Sequence, residues 1–197
     1  MWYVLQCQPG REETVLRACR RALSPEALED AFLFRCERLW RSDGAWKPVI
    51  RSMFSGCVFL ESGRPELLSA ELKRYPGSGM LRAAEETGGL LPIYEEEEEA
   101  LRRLCGERHV LPLSYGYRDR ESGRDRFVHG PLKDWAGQIQ TIDWHRRFAR
   151  LEVSLARRKA VIWAGIGPDG CFWTDEKGRQ PFGRPERPCS PEARETG

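Results

Sequence analysis

Gly130-Pro131-Leu132-Lys133-Asp134-Trp135-Ala136-Gly137-Gln138-Ile139-Gln140-Thr141-Ile142-Asp143 is the stretch on which the fold of the second half depends. Gly130 is free to adopt a positive φ and Pro131 has its φ held near about −65°, so the pair predicts a tight turn. Gly137 stands where the next strand begins, in a place suited to a conformation that other residues avoid. Around this stretch the chain reads as all-β. Short strands are expected at 127–128, 138–142, 148–155 and 160–163, with polar turns between them. Leu151, Val153 and Leu155 alternate with polar residues, as in a half-buried strand. Four or five such strands in about 40 residues are expected to bury a core by curling into a small β-barrel, here at 124–166.

Upstream, residues 1–106 read as an α+β unit. Trp2-Tyr3-Val4-Leu5-Gln6 is a short strand ended by Pro9-Gly10. A helix follows over 12–23, with Val15, Leu16, Cys19, Ala22 and Leu23 at helical spacing and Glu12 and Glu13 at its positive end. Phe32, Phe34 and Cys36 alternate within a strand at 31–41. Ser42-Asp43-Gly44-Ala45 then turns the chain into a second strand at 46–51. The apolar run 57–60 reads as a buried strand. Pro65 opens a helix with Leu67, Leu68, Leu72 and Tyr75 as its stripe. Pro92 makes 90–93 an edge strand. Five acids at 95–99 with Arg102 and Arg103 further on follow the dipole of a last helix. Residues 107–123 read as a polar linker with room for one short strand, and the Gly- and Pro-rich residues 167–197 as a disordered tail.

The charge is uneven. Residues 1–106 hold 15 Lys and Arg against 17 Asp and Glu, whereas 126–163 hold 8 against 3. A concentrated cationic stretch suits a polyanionic partner as well as a solvated face. No apolar run reaches the ~20 residues of a membrane helix, and the N-terminus has no basic leader with a cleavage site. The seven cysteines are scattered, with no CxxC pair, and the three histidines stand apart from them. That pattern favours reduced thiols, no metal or other cofactor, and a cytoplasmic setting. No P-loop, GxSxG, HExxH or paired catalytic carboxylates suggest an enzyme.

In this order the residues resemble the NusG family of transcription elongation factors. Gly130-Pro131-Leu132, Trp135-Ala136-Gly137-Gln138-Ile139 and Ile142-Asp143 resemble its KOW motif. Trp2-Tyr3-Val4-Leu5-Gln6 and the helix after Gly10 resemble the opening of its N-terminal (NGN) domain. Ser52-Met53-Phe54-Ser55-Gly56-Cys57-Val58-Phe59-Leu60, Lys73-Arg74-Tyr75-Pro76-Gly77 with Met80-Leu81, and Leu91-Pro92-Ile93 resemble its later segments. Lys133, Gln138-Ile139 and Trp144-His145-Arg146-Arg147 look closest to the specialised LoaP-type antiterminators. Ser55 and Cys57 depart from the proline and aromatic usual at those positions.

The resemblance implies an NGN-type antiparallel sheet flanked by helices, then a KOW barrel, in a monomeric, non-enzymatic factor that reduces pausing or termination. It implies docking on the RNA polymerase β′ clamp helices through an exposed apolar patch at Met53, Phe54 and Leu81. Arg17, Arg20, Arg21, Lys73 and Arg74 would face upstream or non-template DNA through salt-sensitive phosphate contacts. Lys133, Trp135, Trp144, His145, Arg146, Arg147, Arg150, Arg157, Arg158 and Lys159 would hold a leader RNA hairpin, the aromatic rings stacking on bases. Alternative readings are a general NusG whose barrel contacts Rho or a ribosomal protein, and a ribosome-associated KOW protein.

Overall fold

The computed structural model describes residues 1–74, 90–119 and 121–167 of the 197-residue chain. It is an α+β protein with three helices and several small sheets among these residues.

Strand β1 (Trp2–Gln6) lies inside a four-stranded antiparallel sheet ordered β2-β5-β1-β6, with β2 (Asp30–Phe32), β5 (Cys57–Glu61) and β6 (Leu91–Pro92). Both faces of the sheet are covered, which is why β1 and β5 read as continuous apolar runs. Tyr3, Leu5, Val58 and Leu60 belong to one buried cluster with Val15, Leu16 and Cys19 of α1 (Glu12–Ala22) and Leu68 and Leu72 of α2 (Pro65–Lys73). Trp2, Val4, Phe32 and Phe59 belong to a second cluster with Leu101 and Leu104 of α3 (Glu95–Cys105). Strand alternation therefore sorts neighbouring residues into two different cores. Pro92 sits at the edge of the sheet, where a missing N–H disrupts no ladder.

A long hairpin, β3 (Arg35–Ser42) and β4 (Ala45–Ser52), stands beside this sheet. Asp43 and Gly44 both have positive φ (53° and 77°), the pairing that matches a two-residue turn to strand twist. Residues expected to form a linker add two strands. β7 (Val110–Leu111) joins β3 in parallel, and β8 (Tyr115–Arg118) pairs with β9 (Asp125–His129). Leu111 and Leu113 are buried, and the Leu113 N–H donates to the Glu37 carboxylate at 3.0 Å.

The last sheet is β10 (Ile139–Asp143), β11 (Phe148–Leu155) and β12 (Arg158–Gly165). The expectation of a barrel is corrected here. Among the described residues β8-β9 and β10-β11-β12 form separate ladders, and no closed barrel exists. Two short 3-10 turns, Pro131–Lys133 and Ala136–Gln138, occupy the chain between them. Closure is unnecessary for burial, because Leu132, Ala149, Leu151, Val153, Ile162 and Ala164 share one buried cluster with Trp2, Phe34, Leu104 and Leu111. The contact is close: a Cβ on Gly165 would lie 2.3 Å from the Glu37 carbonyl oxygen and 3.0 Å from Arg38 Cα.

Gly130 makes the expected turn, with φ 84° and with a notional Cβ 2.7 Å from Leu113 O and Ser114 Cα. Gly137 does not behave as expected. Its φ is not positive and nothing lies within 4 Å of a Cβ there, because the strand starts from the 3-10 turn without a special conformation.

Candidate nucleic-acid interface

Met53 and Phe54 were expected on an exposed apolar patch; the structure buries both, at 7% and 6% exposure. The end of β4 turns inward here. The Met53 N–H donates to Phe34 O at 2.9 Å, and Gly56, with φ 74°, closes the turn into β5. The Gly56 N–H donates to the buried Glu12 carboxylate at 2.6 Å. Phe54 packs against Phe34 and Phe59 with ring centroids 5.9 and 5.6 Å away, and Met53 Sδ lies 3.7 Å from Cys105 Sγ. Leu81, with the loop expected around it and the tail beyond residue 167, lies outside the described residues.

The expected DNA-facing residues Arg17, Arg20, Arg21, Lys73 and Arg74 are all exposed. Glu71 joins the ends of their two helices by accepting the Ser24 N–H at 2.7 Å and the Ser24 hydroxyl at 2.6 Å. These two bonds bring the basic last turns of α1 and α2 to one side of the molecule. Part of the charge has a local role. Arg20 donates to Ala31 O and Asp30, Arg17 to Glu13 O, and cations in a last turn favour the helix dipole.

In the C-terminal sheet the basic residues divide. His145, Arg146 and Arg147 lie in the β10–β11 turn, and Arg157, Arg158 and Lys159 lie at the β11–β12 turn. The eight residues of β11 separate the two groups, a span of roughly 20–25 Å. Lys133, His145, Arg146, Arg157, Arg158 and Lys159 are exposed, whereas Arg147 and Arg150 are half-buried. Several are engaged: Lys159 pairs with Glu152 at 2.7 Å, Arg147 donates to Gly167 O, and the Arg157 guanidinium lies 3.8 Å from the Tyr94 ring centroid. The two tryptophans expected to stack on bases are half-buried and already engaged within the protein. Trp135 packs against the core, and Trp144 stacks on Phe127 while its indole N–H donates to Asp125 at 2.7 Å.

Other aromatic rings are open instead. Trp40 of β3 is 59% exposed and Trp163 of β12 is 40% exposed. The Arg51 guanidinium lies 5.9 Å from the Trp40 ring, and that of Arg38 lies 5.7 Å from the ring of Phe148, on which Trp163 packs edge-on. Sequence reasoning assigned these residues to strands without giving them a role. The available signal was alternation: with Ala149, Leu151 and Val153 facing inward, Phe148 and Arg150 must face outward.

The other chemistry is limited. Among the described residues no group of three or more His, Cys, Asp and Glu is placed to hold a metal ion. Burial pushes the Cys19 and Cys105 thiols up to about 12 and those of Cys36 and Cys57 up to about 11, which disfavours the nucleophilic thiolate. No described helix is long and apolar enough to cross a membrane. Compared with known proteins, the chain matches no family model and no curated protein.

Proposed function

We propose that this chain is a NusG-type transcription elongation or antitermination factor. Its N-terminal NGN-type body holds RNA polymerase at the β′ clamp helices, and its KOW-type C-terminal sheet holds a leader RNA. One observation carries the reading. The order β1-α1-β2-β3-β4-β5-α2-β6-α3, followed by an all-β meander after the Gly130-Pro131 turn, follows the order expected from the sequence, except that the one strand expected at 31–41 is divided into β2 and β3 of different sheets. The exposed arginines at both ends of β11 supply the charge that phosphate binding requires. Because Met53 and Phe54 are buried, they serve this role by shaping the N-terminal body and do not themselves form the polymerase contact.

The test is a pull-down of the isolated β′ clamp coiled coil by the full-length chain, with leader-RNA titrations at several salt concentrations. The expected result is polymerase binding and an RNA affinity that falls as salt rises. Replacing Arg146 and Arg158 with Ala should flatten that salt slope by about one to two units. Absence of coiled-coil binding at high protein concentration overturns the reading.

A further inference from the structure

The open aromatic rings described above are not scattered. In the β3–β4 register, Arg38 faces Val49, Trp40 faces Lys47 and Cys36 faces Arg51, so Arg38, Trp40, Lys47 and Arg51 share one face of the hairpin. Arg38 and Trp40 are same-face neighbours, about 7 Å apart along the strand. On the C-terminal sheet Arg150 pairs with Trp163 and Phe148 with Gly165, so Phe148, Arg150 and Trp163 share its outer face. The two faces meet where Gly165 crosses β3 and where Arg38 lies over Phe148. The result is one track: Trp40 with Arg51, then Arg38 with Phe148, then Trp163 with Arg150.

We propose that this track is a stacking surface for a single-stranded nucleic acid, laid across the seam between the hairpin and the C-terminal sheet. The inference rests on the nucleic-acid role proposed above but places the contact away from the turns that the sequence suggested. Charge complementarity selects the occupant. No acid among the described residues pairs with Arg38, Arg51 or Arg150, and the Arg150 Nε is shielded from solvent without a hydrogen-bond acceptor. The nearby acids Glu152 and Asp43 are neutralised by Lys159 and Lys47. Exposed tryptophans offer ring faces to bases of any sequence, and guanidinium groups between them meet phosphates or extend the stack. A duplex keeps its bases within its own stack, so a surface built on open rings favours an unpaired strand. A protein strand added to the hairpin edge is disfavoured by Pro48, which lacks an N–H, and by Lys47 and Arg51 along β4.

The experiment is fluorescence anisotropy of the full-length chain with three labelled probes: an oligouridylate of about 12 nucleotides, an oligodeoxythymidylate of the same length, and a fully paired RNA hairpin. Variants are Trp40→Ala, Trp163→Ala, their conservative forms Trp40→Phe and Trp163→Phe, and Arg157→Ala/Arg158→Ala at the far end of the sheet. Wild type is expected to bind a single-stranded probe. Each Trp→Ala change should weaken that binding about tenfold, each Trp→Phe change should restore most of it, and the far-end pair should have a smaller effect. Circular dichroism should be unchanged, since both tryptophans are exposed. Preference for the uridylate assigns the track to transcript, and preference for the thymidylate assigns it to melted DNA; either supports it. Wild-type affinity in Trp40→Ala and Trp163→Ala, or binding of the paired hairpin alone, overturns the track. Both results leave the polymerase pull-down free to support the functional reading on its own.

Discussion

Glu97 holds Arg157 by its backbone: the carboxylate, buried in the first turn of α3, accepts the Arg157 N–H at 2.8 Å. It also accepts the Ala156 N–H at 3.1 Å, the Ser154 hydroxyl at 2.5 Å and the Tyr94 N–H at 3.1 Å. Ala156 and Arg157 have φ of 51° and 59°, a region that costs non-glycine residues of order 1 kcal/mol each. One side chain thus caps a helix and fixes a strained turn contributed by residues about 60 positions later. Replacing Glu97 with Gln should destabilise the chain by about 2–3 kcal/mol, read from urea unfolding, because charge-assisted bonds are lost in a buried setting. An unchanged midpoint would refute the clamp.

The same carboxylate makes stability depend on pH. Burial alone raises its pKa, but the hydrogen bonds from Ser154, Arg157, Tyr94 and Ala156 together outweigh it and hold the value below the ordinary 4.5. A depressed folded-state pKa contributes stability that is complete above 4.5 and is lost as pH falls through the folded value. The stability gap between wild type and Glu97→Gln should therefore narrow as pH is lowered below 4.5, measured by thermal unfolding at a series of pH values. A gap that stays constant down to strongly acidic pH would contradict this.

Gly130 and Gly137 should respond oppositely to alanine. At Gly130 a methyl group would sit on the backbone of Leu113 and Ser114 at a φ of 84°, so Gly130→Ala should cost about 2 kcal/mol or more. At Gly137 there is open space and no positive φ, so Gly137→Ala should be neutral or slightly stabilising. Equal effects in differential scanning calorimetry would sink the distinction.

Phe54→Ala should cost about 3–5 kcal/mol and Met53→Ala about 2–5 kcal/mol, as large-to-small changes in a packed core. Met53→Leu, which nearly conserves volume, should cost under about 1.5 kcal/mol. Chemical denaturation decides. A negligible loss for Phe54→Ala would mean that the ring is not packed against Phe34 and Phe59.

The parts of the fold that were legible in the sequence carry local, repeating signals. β1, α1, the β3–β4 hairpin, β5 and α3 announce themselves through period and punctuation: the Asp43-Gly44 turn, Pro65 at a helix start, acids before bases in residues 95–105. β7 was not legible because a strand of two residues takes its identity from a partner far back along the chain, β3; β8 pairs with the nearby β9, but its four residues lie in a polar stretch without apolar alternation. The barrel failed for a related reason. Closing it follows only if the last strands must bury their inner face alone, and the pattern could not reveal that Phe34, Leu104 and Leu111 share that core. The candidate site was legible as charge but not as geometry. Arg146 and Arg158 look adjacent in a cationic stretch, yet β11 sets them at opposite ends. Trp40 and Trp163 lie 123 positions apart in sequence and share a surface only through the crossing at Gly165.

That crossing has a consequence for biogenesis. Because β12 lies directly on β3 and its residues complete a core begun by Trp2, the amino-terminal half emerges from the ribosome with an oily flank that stays wet until residue 165 is free. Burial of that flank is thus postponed until β12 has been made, whereas a domain-by-domain order would have relieved the nascent chain earlier.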